Sequence, residues 1–214
     1  MKQTIRTTPA LYLLLAAFFT GRLLAQDISL PAPQKTGGMP LMDALAKRST
    51  SRAFDTKDLS AQQLSSLLWA AFGLNRADGK RTAPSANNKQ ATDIYVLLKS
   101  GAYIYDAKAN KLGPVLAEDI RKLGGTQDFI TNAPVTLVFV ADLSKMGNGS
   151  AESKKTTANV NVGYISQNVY LFCASEGLAT GARGSVDRAA LGSKMELRPE
   201  QVIILAQSVG YPKP

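Results

Sequence analysis

Pro134-Val135-Thr136-Leu137-Val138-Phe139-Val140-Ala141 is apolar at nearly every position and rich in β-branched side chains. A strand with one wet face alternates polar and apolar residues, whereas one covered on both faces does not. Residues 134–141 are therefore expected to form a central strand. Upstream, Asp93-Ile94-Tyr95-Val96-Leu97-Leu98 has the same character, and Ala102-Tyr103-Ile104-Tyr105-Asp106 follows it across Ser100-Gly101. That spacing predicts an antiparallel hairpin. Downstream, Val202 to Val209 reads as a further strand.

Between these strands lies the longest helical pattern, Thr156 to Glu176, closed by Gly177. Val160, Gly163, Tyr164, Gln167, Val169, Tyr170, Leu171, Cys173 and Ala174 make it apolar over much of its circumference, which predicts a buried helix at a subunit interface. Shorter helices are expected at Leu41–Lys47, after the N-cap Ser60, and around Val115, Leu116, Ile120 and Leu123. In the second of these, Leu64, Leu67, Leu68, Ala71 and Phe72 share one face. Gly73 is the expected terminator. Strands and helices mix without regular alternation, so the fold class is α+β.

Lys2 and Arg6 precede an apolar run, Leu11 to Phe19, and Leu23-Leu24-Ala25 places a small residue before Gln26. This is the layout of a secretory signal peptide over residues 1–25. The run is shorter than the roughly 20 residues of a spanning helix, so no transmembrane anchor is expected. The protein is expected to be exported, to a bacterial periplasm. Residues 26–39, rich in Pro, Gly and polar side chains, read as an extended arm. Residues 40–214 form the domain.

The 214 residues carry a net charge of +9, one cysteine and no histidine. Without histidine, Cys–His and Ser–His–Asp catalysis are excluded. A zinc site would lack its commonest nitrogen ligand, and no metal site is expected. Cys173, in an apolar helical run, reads as a small core residue. The basic residues are dispersed and accompany no nucleic-acid-binding motif, so the charge points to anionic small ligands instead.

One cluster fits that expectation. In Arg48-Ser49-Thr50-Ser51-Arg52-Ala53-Phe54, two guanidiniums lie four positions apart among three hydroxyls. Guanidinium forks suit two-point contact with a phosphate, and hydroxyls or backbone N–H groups can complete the cage. Two further stretches lie in expected loops: Pro84-Ser85-Ala86-Asn87-Asn88-Lys89-Gln90, and Gly177-Leu178-Ala179-Thr180-Gly181-Ala182-Arg183-Gly184-Ser185. The second is not a dinucleotide fingerprint, because its glycine spacing differs and a helix precedes it.

In order and spacing these stretches resemble the nitroreductase family of flavoproteins, over about residues 40 to 214. The segment Gly163 to Leu171 resembles that family's central helix, and Gly210-Tyr211-Pro212 the start of its C-terminal segment. The Tyr95, Tyr103 and Tyr105 hairpin, with Leu112-Gly113-Pro114, is similar to the branch that oxidises thiazolines and oxazolines. The resemblance implies a mostly antiparallel central sheet flanked by helices and FMN bound at a homodimer interface. It also implies ping-pong hydride transfer through flavin N5 between a small-molecule donor and an electron-poor acceptor. Arg48, Ser49, Thr50 and Arg52 would hold the phosphate, with Lys213 as a further basic group. Ser85, Ala86 and Asn88 would contact the ring or ribityl. Ala182, Arg183, Gly184 and Ser185 would offer backbone N–H groups to the ring edge. No catalytic acid or base is named. An envelope protein that binds flavin or another phosphorylated ligand without catalysis is the alternative.

Overall fold

The computed structural model describes residues 26–213. The expected signal peptide and Pro214 lie outside them. Along the chain come β1 (Ile28–Ser29), α1 (Leu41–Lys47), α2 (Ala61–Phe72), β2 (Thr92–Leu98), β3 (Gly101–Asp106), β4 (Lys111–Leu116), β5 (Val135–Asp142), α3 (Ala151–Glu176), β6 (Ala179–Arg183), α4 (Arg188–Lys194) and β7 (Gln201–Gly210). The seven strands make one sheet in the order β1-β4-β3-β2-β5-β7-β6, and every neighbouring pair is antiparallel.

β5 is the centre of the sheet, and all eight of its residues are buried. Leu137 and Phe139 pack against α2 and α3 on one face, and Val138 and Val140 against α4 on the other. Both faces being covered is why the run carries no polar alternation. The helix ends follow local chemistry. Ser60 and Gln63 form a capping box that starts α2, and Gly177 ends α3 in the left-handed region at φ 67°. Gly73 ends α2 in an extended conformation instead.

Three expectations need correction. Val115 and Leu116 belong to β4, not to a helix, and only Arg121–Gly124 form a short 3-10 turn nearby. Ala179–Arg183 form the edge strand β6 rather than a loop joining two helices. The helix α3 is longer than expected; within the single chain Ala158, Val162, Ile165, Val169 and Cys173 face the sheet, while Val160 and Tyr164 are 50% and 48% exposed.

The arm is part of the packed unit. Ser65 Oγ and Asn110 Nδ2 both donate to the Pro31 carbonyl, Ser66 Oγ accepts from Gln34 N–H, and Ser175 Oγ accepts from Met39 N–H. It thus straps α2, the β3–β4 turn and the end of α3 together.

Candidate functional site

The 48–53 stretch leaves α1 and runs beside the free edge of β6. Ser51 N–H donates to the Thr180 carbonyl at 2.9 Å. The close approach needs Gly181, where a Cβ would sit 2.7 Å from the Ser51 carbonyl oxygen. On the other side the chain's tail joins: Phe54 bridges Pro212, Asp55 N–H donates to the Tyr211 carbonyl, and Lys213 N–H donates to the Ala53 carbonyl. Arg48, Thr50, Arg52 and Lys213 are thereby gathered on two adjacent backbone segments.

A residue not expected in the site organises it. Tyr170, half-buried on α3, accepts from Ala182 N–H at 2.9 Å, and its hydroxyl lies 3.0 Å from Thr50 Oγ1. The Arg48 guanidinium carbon stands 5.4 Å from the centroid of its ring, within cation–π range. Hydrophobic periodicity accounts for Tyr170 as a helix-face residue, so nothing in the sequence set it apart. Its hydroxyl also engages the Ala182 N–H, which is therefore not free to face a ligand as the resemblance implies.

The 85–88 loop reaches α3 nearer its middle. Ala86 N–H donates to Asn161 Oδ1 at 3.2 Å. Asn161 and Tyr170 are nine residues apart on one helix, a span of about 13 Å at the α-helical rise. The loop's tip is conformationally restricted: Asn87, Asn88 and Gln90 have φ of 50°, 52° and 46°, values that non-glycine residues rarely adopt. Internal bonds hold it there. Gln90 N–H donates to Ser85 Oγ, Gln90 Nε2 donates to Asn88 Oδ1, and Arg81 Nε donates to Gln90 Oε1. Arg81 stacks on Phe72 at 4.5 Å and donates to its carbonyl, and burial lowers its pKa. Ala86 and Asn88 are exposed on this rigid tip.

Arg183 is not brought to the clamp by its side chain. It is buried beneath the Gly124–Gly125 turn, where Nε donates to the Gly124 carbonyl and Nη1 to Ser208 Oγ. Among the described residues no carboxylate pairs with it, and burial pushes its pKa down to about 10. Ser185 Oγ pairs with Thr126 Oγ1 on the same turn, and Gly184 is exposed. Among the described residues there is no group of three or more His, Cys, Asp or Glu placed to hold a metal, and no helix is long and apolar enough to cross a membrane.

Comparison with known proteins gives this geometry its context. The nitroreductase family model matches residues 45–211. A Methanocaldococcus jannaschii protein provisionally named a nitroreductase is 28% identical over 169 residues, covering 74% of this chain and 84% of that one. The crystal structure of a protein from Ralstonia eutropha JMP134, also provisionally named a nitroreductase, superposes with a TM-score of 0.84 at 40% identity, covering 89% of this chain and 91% of that one. A Staphylococcus epidermidis protein provisionally named an NAD(P)H:FMN oxidoreductase shares the fold, with a TM-score of 0.63 at 15% identity over 86% of this chain and 92% of that one. With its antiparallel sheet, its long central helix and a family match that spans both the clamp and the 85–88 loop, this chain belongs to the nitroreductase family.

Proposed function

We propose that the protein is an exported, FMN-dependent homodimeric oxidoreductase. It takes reducing equivalents from a small-molecule donor and passes them to an electron-poor acceptor such as a nitro compound or quinone. The observation that carries this reading is the clamp: Arg48, Thr50 and Arg52 held between the β6 edge and the 211–213 tail. Its donor set fits a phosphate, being cationic and hydroxylic. Among the described residues neither arginine is paired with a carboxylate. FMN, when bound, supplies the hydride chemistry. The chain's residues bind and orient. Arg48 and Arg52 grip the phosphate with forked donors, Ser49 and Thr50 add hydroxyls, and Lys213 adds charge. The rigid 85–88 tip presents Ser85, Ala86 and Asn88 to the body of the ligand.

The homodimer is supported by the exposed apolar stripe of α3, Val160 and Tyr164, which lies on the helix that α1 also packs against. On α1, Leu41, Met42 and Leu45 are 62%, 73% and 44% exposed. Such a surface is a candidate for a symmetric interface.

The purified protein is expected to be yellow, to be bleached by a reductant and to be reoxidised by a nitroaromatic or a quinone. Arg48→Ala and Arg52→Ala should each weaken FMN binding about ten- to a hundredfold, since hydrogen bonds to charged groups contribute roughly 1.5–3 kcal/mol. Riboflavin, lacking the phosphate, should bind the variants as it binds the parent. A colourless protein indifferent to added FMN would sink the flavin reading. N-terminal sequencing of the protein from its native host, expected to begin near Gln26, tests export.

A further inference from the structure

We infer that Tyr170 is the positioning residue that gives the clamp its preference for a phosphoryl group, by fixing which way the Thr50 hydroxyl proton points; this rests on the clamp being an anion site, as proposed above. The hydrogen-bond chain has a direction. Ala182 N–H can only donate, so the Tyr170 oxygen accepts there, at 2.9 Å. Thr50 Oγ1, at 3.0 Å, is the partner for the proton of Tyr170. With the bonds running from Ala182 N–H to Tyr170 to Thr50, both protons before Thr50 are used. The reverse orientation would point two donors at one phenol oxygen and leave the phenol proton without an acceptor among the described residues. Thr50, exposed at the end of the chain, then directs its own proton outward. Each link polarises the next, which strengthens the last donor.

The ring acts on the second component. Arg48 lies over it at 5.4 Å, so the same side chain orders a guanidinium beside the hydroxyl. A planar cation and a polarised hydroxyl presented together suit a tetrahedral dianion. A neutral hydroxyl in the same place would leave the cation without a counter-charge. Ser51 pairs with Thr180, and Gly181 admits the clamp to the strand edge; the backbone is therefore set independently of Tyr170. The phenol controls proton direction and the arginine's position, not the location of the clamp.

The test uses the full chain and Tyr170→Phe, which keeps the ring and removes the hydroxyl, together with Thr50→Val and the double variant. The readouts are dissociation constants for FMN and riboflavin from flavin fluorescence, and for inorganic phosphate from its protection against thermal unfolding. Tyr170→Phe should reduce the preference for FMN over riboflavin about tenfold, and weaken phosphate by a similar factor, with riboflavin unchanged. The double variant should be within about twofold of the weaker single variant, because both break one chain. Tyr170→Leu, which also removes the ring beneath Arg48, should lose more. A lower melting temperature with the FMN-to-riboflavin ratio intact would make Tyr170 merely structural and overturn the inference. So would single-variant losses that multiply. If the parent binds phosphate but not FMN, the flavin reading fails, and the phosphate constants alone decide for or against Tyr170. A parent that binds neither overturns both.

Discussion

Asn161 Oδ1 accepts the backbone N–H of Ala86 at 3.2 Å, and that bond leaves Asn161 Nδ2 buried without a partner among the described residues. The amide cannot be turned round, because its NH2 would then face the donor of Ala86. The long helix therefore holds the strained 85–88 loop at the cost of an unmet donor. Asn161→Ala strands only the N–H of exposed Ala86 and removes the unmet Nδ2 as well, so it is expected to lower stability by no more than about 1 kcal/mol. A urea midpoint gives the magnitude. Faster hydrogen exchange at Ala86 would locate the effect; an unchanged Ala86 rate would show that the loop is held elsewhere.

Glycine substitutions separate strain from bonding in that loop. Among the described residues the Asn87 side chain, at φ 50°, makes no hydrogen bond within the loop, so Asn87→Gly should be neutral or stabilise slightly. Gln90 has the same kind of backbone at φ 46° but ties Arg81, Gly79 and Asn88 together. Gln90→Gly should destabilise by about 1–3 kcal/mol despite relieving φ. Equal effects for the two variants, measured by thermal unfolding, would mean that backbone strain rather than the Gln90 bonds governs the tip.

At the opposite end, Gly181→Ala tests the seat of the clamp. A Cβ there would lie 2.7 Å from the Ser51 carbonyl oxygen, so the 50–52 backbone must shift away from β6. FMN affinity is expected to fall at least tenfold while the melting temperature changes by only a few degrees. Unaltered FMN binding would place the phosphate away from this edge.

Cys173 is fully enclosed between α3 and the sheet, and burial pushes its thiol pKa well above the ordinary value. It should resist a disulfide reagent in the native protein and react at the rate of global opening. Stoichiometric labelling within seconds under native conditions would contradict this burial.

What the sequence disclosed depended on how much side-chain pattern each element needs. The strand expected at 134–141 is found at Val135–Asp142, and the helix expected at Leu41–Lys47 is found there. Apolar runs and caps are local signals. β6 has neither: Ala179-Thr180-Gly181-Ala182-Arg183 is held by its ladder to β7 and by Thr180 Oγ1 donating to the Ser208 carbonyl. That information resides in the partner strand. Val115 and Leu116 share helical spacing with Ile120 and Leu123, and four positions cannot separate a helix from the end of a hairpin. In the site, Arg48 to Arg52 stood out because the cluster is contiguous. The burial of the Arg183 side chain was not legible, because alternation along a strand with no local signal sends it under the Gly124–Gly125 turn.

The placement of β5 also sets how the chain must fold. One side of this strand is covered by β2 and the other by β7, whose Ser208 lies 72 residues beyond its partner Thr136. The strap and tail close over longer intervals still, Met39 to Ser175 across 136 residues and Gln63 to Tyr211 across 148. Such non-local pairing makes folding slow. Until β7 docks, the most apolar strand of the molecule is an unpaired edge, able to template pairing with another chain. Recovery of soluble protein should thus be governed by how long that edge stays open: cooler, slower synthesis would help more than any gain in native-state stability.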